Sequence, residues 1–394
     1  MGAEDTSAPP PAAYRDPPPF SAEVEGLKVT IYPDGQDRLN ALLEAIGSAQ
    51  TSLKVVFYIF ACDATGTKVR DALTKAAHRG VDCTVIVDSY GAEADEEFFA
   101  AFCAAGGSFR CFSARRSMRY LIRNHQKMVI IDEDRAIVGG FNIEDDYFAP
   151  PDVNGWNDLA AEVTGEAMQP LNDWFAKLLD WTDSDGAEWR QVRRMVREWD
   201  AKEGKVRWLV GGPTRGLSTW ARCVSEDLKQ GRRLDMVMAY FSPPKSLLKR
   251  IGRIARHGEA RLVMAGKSDN GATIGASRTL YSYLLGRGAQ IHEFCACKMH
   301  TKLVVLDDAV YLGSANFDMR SLYINLEIMM KVEDAAFADR MREYVTHQLE
   351  GSRAITPASH RRNATLWNRV RWNASWFLVS VMDYTISRRF NFGL

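Results

Sequence analysis

Two short stretches of this sequence carry the same residue types at the same spacing. Asn124-His125-Gln126-Lys127, running on to Asp132, is followed by Gly139, Gly140 and Asn142, and Met299-His300-Thr301-Lys302, running on to Asp307, is followed by Gly313, Ser314 and Asn316. Both read H-x-K-x4-D and then G-[GS]-x-N. With each residue type used roughly 1 time in 20, six fixed positions do not recur in one chain by accident. A lone histidine is usually a packed or surface residue; two matched His-Lys pairs with matching asparagines are a site. If the two copies meet, their pocket holds two imidazoles, two ammonium groups and two amides, with no clustered carboxylates to hold a metal. Such a donor-rich set suits a phosphate diester. One histidine can attack phosphorus while the other protonates the leaving alcohol, and Lys127, Lys302, Asn142 and Asn316 neutralise the phosphate oxygens. That chemistry needs no cofactor, and no metal site is expected.

The elements that must position these groups repeat as well. Residues 36–49 and 217–230 read as helices leading into apolar strands at 53–60 and 234–241, each closing on aromatic residues. A second helix then ends His78-Arg79-Gly80 in one half and Arg256-His257-Gly258 in the other, and is followed by a strand at 84–88 or 261–265. Alternating strands and helices predict an α/β fold of two repeated α/β/α sandwich domains, an intramolecular pseudo-dimer with the site at the interface. On a regular strand His125 and Lys127 share a face, as do His300 and Lys302. Asp132 and Asp307 enter the candidate catalytic set as the last members of the motif. Their parity is opposite, which gives them an ion-pair or turn role instead. The expected boundaries are a disordered Pro-rich segment at 1–26, a first domain at 27–170, a helical linker at 171–205, a second domain at 206–350 and a tail at 351–394.

The chain has 394 residues, long for one core, and 50 Lys+Arg against 50 Asp+Glu. Zero net charge excludes a protein that grips polyanions with its whole surface, and no nucleic-acid partner is expected. The charge is nonetheless polarised: the tail has seven arginines and one acid, Asp383, so it is +6 and the rest is −6. Trp367, Trp372, Trp376 and Phe377 alternate with those arginines, in apolar runs too short for the ~20 residues of a spanning helix. The composition fits a membrane-surface segment and, equally, a helix packed on the protein's own core. Seven scattered cysteines, an odd number, argue against a disulfide framework. The start of the chain lacks the apolar stretch of a secretory signal, so export by that route is not expected.

The duplicated motif resembles that of the phospholipase D superfamily over roughly residues 30–350. Leu312-Gly313-Ser314-Ala315-Asn316-Phe317-Asp318-Met319-Arg320-Ser321, then Asn325 and Glu327, is similar to bacterial phospholipase D-type cardiolipin synthases, as are the stretch from Asn124 to Asp132 and Trp156-Asn157-Asp158. The resemblance implies phosphatidyl transfer from phosphatidylglycerol to a second phospholipid alcohol, with release of glycerol, through a phosphohistidine. By analogy His125 is the nucleophile and His300 the acid and base. A downstream carboxylate orients each histidine in the family, and Asp158, 33 residues after His125, and Glu327, 27 after His300, stand at those places. Ser314 is expected to contact phosphate, a contact that Gly140 lacks in the first motif. The resemblance further implies phospholipid and anionic-membrane partners, a monomeric pseudo-dimer, and a peripheral position on the cytoplasmic side of the bacterial inner membrane. Two N-terminal transmembrane helices of some relatives have no counterpart here, which leaves the tail to hold the bilayer. The alternatives are hydrolysis to phosphatidic acid and a nucleic-acid phosphodiesterase using Arg115, Arg116, Arg119 and Arg123.

Overall fold

The computed structural model describes residues 14–113, 122–184, 189–214 and 216–382. In the first half the chain runs through β1 (Phe20–Val24), β2 (Leu27–Tyr32), α1 (Gly35–Ser48), β3 (Ser52–Phe57), α2 (Ala64–His78), β4 (Asp82–Asp88), α3 (Ala100–Ala104), β5 (Ser108–Phe112), β6 (Met128–Ile131), β7 (Arg135–Gly139), β8 (Trp156–Asn157) and β9 (Ala160–Thr164). Helices α4 (Gln169–Asp183) and α5 (Trp189–Arg197) lead to β10 (Val206–Gly211), α6 (Thr219–Gln230), β11 (Arg233–Met238), β12 (Phe241–Ser242), α7 (Lys245–His257) and β13 (Glu259–Ala265). There follow α8 (Gly271–Leu285), β14 (Gln290–Phe294), β15 (Lys298–Met299), β16 (Lys302–Leu306), β17 (Ala309–Gly313), β18 (Phe317–Asp318), α9 (Met319–Tyr323), β19 (Glu327–Glu333) and α10 (Ala335–Gln348). The chain then continues through β20 (Ser352–Ile355), α11 (Pro357–Asn363) and α12 (Leu366–Trp376).

The duplication is visible in the sheet orders, β1-β2-β9-β7-β6-β3-β4-β5 and β10-β19-β17-β16-β11-β13-β14-β20. Strand for strand, β2 to β5 of the first order match β10 to β14 of the second. The βαβ strands β3, β4 and β11, β13 pair in parallel, and the motif hairpins β6–β7 and β16–β17 are antiparallel. Helices α1 and α2 cover the outer face of the first sheet through Leu42, Ile46 and Leu73, and α6 and α7 cover that of the second through Trp220, Leu228 and Ile251. The inner faces differ in kind. Met128, Ile130 and Val138 of one sheet and Leu303, Val305 and Val310 of the other join Trp174 and Leu178 of α4 and Met341 and Val345 of α10 in one continuous cluster. The two sandwiches thus share their middle layer, and neither buries its inner face alone.

Three expectations need correction. The segment 1–26 is not disordered throughout: Phe20–Val24 pairs with Leu27–Tyr32 across a turn in which Glu25 and Gly26 take positive φ, 52° and 79°. Ahead of that hairpin, Tyr14 is buried edge-on against Phe294, 5.0 Å between ring centres. Proline content dominated the composition and hid the alternation of Phe20, Ala22 and Val24. At the other end the second domain does not stop at 350, because Ser352–Ile355 completes the sheet beside β14. The strands drawn to 60 and 241 end at Phe57 and Met238, where the chain turns so that the next aromatics, Tyr58 and Tyr240, leave the sheet for the site. The N-terminal residues 1–13 and the arginines Arg388 and Arg389 lie outside the described residues.

Candidate active site

The two motifs meet through backbone hydrogen bonds that cross between halves. His125 N–H donates to Leu326 O at 2.9 Å and Leu326 N–H returns to Arg123 O at 2.9 Å; His300 N–H donates to Asn157 O at 2.8 Å, where β15 runs parallel to β8. Each histidine is therefore tied to the residue that precedes a carboxylate of the other half. The result is a crossed pairing. His125 Nδ1 lies 3.0 Å from Glu327 Oε2, and His300 Nδ1 lies 2.7 Å from Asp158 Oδ2. Assigning Asp158 to His125 and Glu327 to His300 from their separations in the chain is thus corrected: each acid serves the opposite histidine. The cause is local, since Asp158 directly follows β8 and Glu327 opens β19, and the bonds at Asn157 and Leu326 carry both segments over the pseudo-twofold axis.

His125 and Lys127 stand in extended chain just before β6, and Lys302 opens β16. Lys127 Nζ donates to His125 O at 2.7 Å and Lys302 Nζ to His300 O, so each ammonium spans its own motif. Both lysines are fully buried. Asn142 Oδ1 accepts from Ile59 N–H at 3.2 Å and its side chain also hydrogen-bonds Tyr147, and Asn316 is buried with its Oδ1 unpaired. Ser314, expected to contact phosphate, stands against Glu327. Its hydroxyl donates to Glu327 Oε2 and accepts from Ile328 N–H at 3.1 Å. In the first half a Cβ at Gly140 would stand 2.5 Å from Asp158 Oδ1, so that acid excludes a serine there and takes Leu159 N–H at 2.8 Å instead.

Asp132 and Asp307 are not in the pocket. Each sits at φ 49° in the turn between its hairpin strands, a left-handed conformation that aspartate tolerates. Asp132 accepts from the backbone N–H groups of Gln50, Thr51 and Ser52 at 2.9, 2.7 and 3.0 Å, and Asp307 from those of Arg232 and Arg233 at 3.1 and 2.9 Å. Burial pushes the Asp132 carboxyl up slightly, but these donors outweigh it and hold it at about 2. Asp132→Ala should lower stability by about 1–3 kcal/mol with kcat nearly unchanged, measured by urea unfolding beside steady-state assay. Because the folded carboxyl is depressed, its contribution is present above the ordinary aspartate range and fades as pH falls toward 2.

Three residues of the site, Tyr58, Tyr147 and Arg38, were not singled out in the sequence, and Trp156 entered it only within the stretch Trp156-Asn157-Asp158. Tyr58 lies 5.0 Å from the His125 ring, and Tyr147 and Trp156 lie 5.0 and 5.4 Å from that of His300. The Tyr147 hydroxyl is 3.5 Å from His300 Nε2. Arg38, buried in α1, donates to the carbonyls of Asp158 and of Tyr147, the latter at 2.6 Å, and so fixes the segment that carries the acid. The aromatic strand ends were a signal for Tyr58; Arg38 lies outside the repeat and gave none. Of the four arginines of the phosphodiesterase alternative, Arg123 lies 3.4 Å above the Tyr90 ring, and Arg115, Arg116 and Arg119 fall outside the described residues. The seven cysteines are all free. Among the described residues no cluster of three His, Cys, Asp or Glu is placed to hold a metal.

Comparison with known proteins decides the family. Residues 42–179 and 224–349, well over half the chain, match the family described as "Cardiolipin synthase, PLD-like domain". The chain belongs to this phospholipase D-like family. It is 27% identical over 372 residues to the major cardiolipin synthase ClsA of Bacillus subtilis (strain 168), covering 91% of this chain and 76% of that protein. Cardiolipin synthase B of Salmonella typhimurium (strain LT2) is 27% identical over 375 residues, 93% of this chain and 89% of the relative. The crystal structure of phosphatidylserine synthase from Haemophilus influenzae Rd KW20 shares the fold, with a TM-score of 0.70 at 14% identity over 93% of this chain and 97% of the other. The resemblance read from the duplicated motif is borne out, and the protein is a phospholipase D-type enzyme.

In this phospholipase D-like site, burial sets the protonation states. It pushes His125 below the ordinary histidine value, against the pull of Glu327, and pushes His300 down to about 3, helped by the Lys302 charge and opposed by Asp158. Both shifts favour the neutral ring when the site is empty, each with Nδ1–H toward its acid, and Nε2 of His300 faces the Tyr147 hydroxyl. Burial also lowers Lys127 to about 7 and Lys302 to about 8, although Glu327 and Asp158 respectively oppose it. As pH rises through this range the lysines lose the charge that attracts a diester. For the free enzyme kcat/KM should fall between about pH 7 and 8, whereas the kcat limb moves higher because bound phosphate restores the lysine protons; parallel pH profiles of the two constants check it.

Proposed function

We propose that this enzyme is a cardiolipin synthase that moves a phosphatidyl group from one phosphatidylglycerol to the hydroxyl of another and releases glycerol. The observation that carries the reading is the pair of imidazoles, His300 buried and His125 partly so, each held at Nδ1 by a carboxylate of the opposite half beside a buried lysine. His125 Nε2 forms a bond to phosphorus as the bond to the glycerol oxygen breaks, and Glu327 balances the cationic phosphohistidine. His300 gives its proton to the departing glycerol, then takes one from the incoming lipid hydroxyl as that oxygen displaces His125.

This division of roles is supported by the surroundings of the two rings. The Tyr147 hydroxyl beside His300 Nε2 is suited to hold an alcohol oxygen, and the His125 side chain keeps 13% exposure against 6% for His300. With both lysines charged, Lys127 and Lys302 balance Glu327 and Asp158. A phosphodiester then brings one unbalanced negative charge, which favours a proton on the second histidine and makes it an acid when substrate is bound. The enzyme is read as a monomer working from the cytoplasmic face of the bacterial inner membrane. No helix among the described residues is long and apolar enough to cross a bilayer.

Purified protein incubated with phosphatidylglycerol vesicles should yield cardiolipin and free glycerol in equal amounts, measured by mass spectrometry. Phosphatidic acid as the sole lipid product would establish water as the acceptor and reject the transferase. Cleavage of an oligonucleotide with no turnover of lipid would reject both.

A further inference from the structure

The C-terminal helix offers a second feature, away from the chemistry. Helix α12 lies along α8, and its Trp372 is buried there, stacked on the His360 ring at 5.5 Å and 13°, while His360 Nε2 reaches Ser282 Oγ at 2.9 Å. A Cβ at Gly275 would stand 2.8 Å from Ser375 Oγ, so the absent side chain is what lets the two helices approach. This is a fixed helix, packed on the body by one face. Its opposite face is apolar and open: Leu366 is 81% and Trp367 74% exposed, and Val370, Phe377 and Leu378 are about half exposed. At about 100° per residue Leu366, Val370 and Trp367 fall within an arc of about 100°, with Trp372 on the far side, and Phe377 and Leu378 follow in the π-helical turn Phe377–Met382. Monomeric proteins seldom leave such a stripe uncovered.

We infer that this stripe is a docking surface for an anionic phospholipid bilayer, seating the helix in the interface while Trp372 keeps it attached to the body. Charge complementarity selects the occupant. Arg361, Arg362, Arg369 and Arg371 are exposed, and the sequence from Gly351 to Met382 contains no acid. A stripe of Leu, Trp and Phe edged by arginines is suited to the boundary between acyl chains and anionic head groups. The packed helix and the membrane-surface segment weighed from composition are thus two faces of one element.

The surface does not rest on the proposed reaction, and its test reads binding alone. The full chain should sediment with vesicles of equal parts phosphatidylglycerol and phosphatidylcholine at least tenfold more strongly than with phosphatidylcholine vesicles. The triple variant Leu366→Glu, Trp367→Glu, Val370→Glu should lose at least tenfold of that binding with an unchanged thermal midpoint, because all three side chains face solvent. His125→Ala should bind as the wild type does, whatever the enzyme turns over. Undiminished vesicle binding by the triple variant would overturn the assignment. So would a lipid-free dimer of the wild type that the triple variant fails to form, since a second copy would then cover the stripe.

Discussion

Under the proposed mechanism Glu327→Gln should abolish the covalent step, and Asp158→Asn should spare it when the leaving group needs no proton. That separation follows from the crossed pairing. Glu327 holds Nδ1–H of His125 and faces the charge that develops on its ring when Nε2 bonds to phosphorus. A neutral amide cannot balance that charge and can hold the wrong tautomer, so a loss of roughly a thousandfold or more is expected with any substrate. Asp158 supports His300, whose proposed task in the first half-reaction is to protonate the alcohol. With a phosphatidyl ester of p-nitrophenol that task disappears. Rapid-mixing assays should then show a near-normal burst of nitrophenol for Asp158→Asn followed by arrest, and no burst for Glu327→Gln. With phosphatidylglycerol both variants, like His125→Ala and His300→Ala, should be inactive. A burst retained by Glu327→Gln and lost in Asp158→Asn would reverse the two histidines' roles. A proton NMR reading is independent of kinetics: the hydrogen-bonded Nδ1–H signal of His125 should vanish in Glu327→Gln and persist in Asp158→Asn, and the opposite would break the crossed pairing itself.

The ingredients of this site were legible in the sequence and its wiring was not. His125, Lys127, Asn142 and their partners at His300, Lys302 and Asn316 stand at repeated spacings, and a repeat needs no knowledge of the fold to be seen. The parity of Asp132 and Asp307 likewise located them, because the alternation of a strand is a local rule. What joins Asp158 to His300 is a contact 142 positions apart in the chain, decided by backbone bonds at Asn157 that no spacing encodes. Ser314 shows the same limit from another side: a serine beside a phosphate pocket and a serine behind a catalytic acid have the same sequence, and only the direction of its hydroxyl tells them apart. The hairpin at Phe20 and the strand at Ser352 were hidden because composition was averaged over segments in which a few paired residues decide the structure. Both additions lie on sheet edges, outside the repeated unit, where the internal comparison of the two halves carries no information.

Trp174→Ala should unfold both halves together. The indole is fully buried in the cluster that the two sheets share, and its Nε1–H donates to Gln126 Oε1 at 3.0 Å. Gln126 in turn gives its amide to Glu327 O at 3.2 Å, so one linker side chain supports the motif of the first half and the acid of the second. Truncation to alanine leaves a cavity and one unpaired polar group, Gln126 Oε1, a loss of about 3–5 kcal/mol. If the halves were independent sandwiches, that loss would appear in one of two calorimetric transitions. Because the inner layer is common, the wild type should melt in one transition and the variant in one transition at lower temperature, with equal calorimetric and van't Hoff enthalpies. Activity should fall more than the melting temperature accounts for, since Gln126 loses the indole N–H that holds it against the Glu327 carbonyl, and a Trp174→Phe variant should recover most of the stability but not that hydrogen bond. Two resolved transitions, with only one displaced by the mutation, would show that the site is assembled from separately stable halves. The crossed carboxylates then would be a consequence of docking between them and not of a common core.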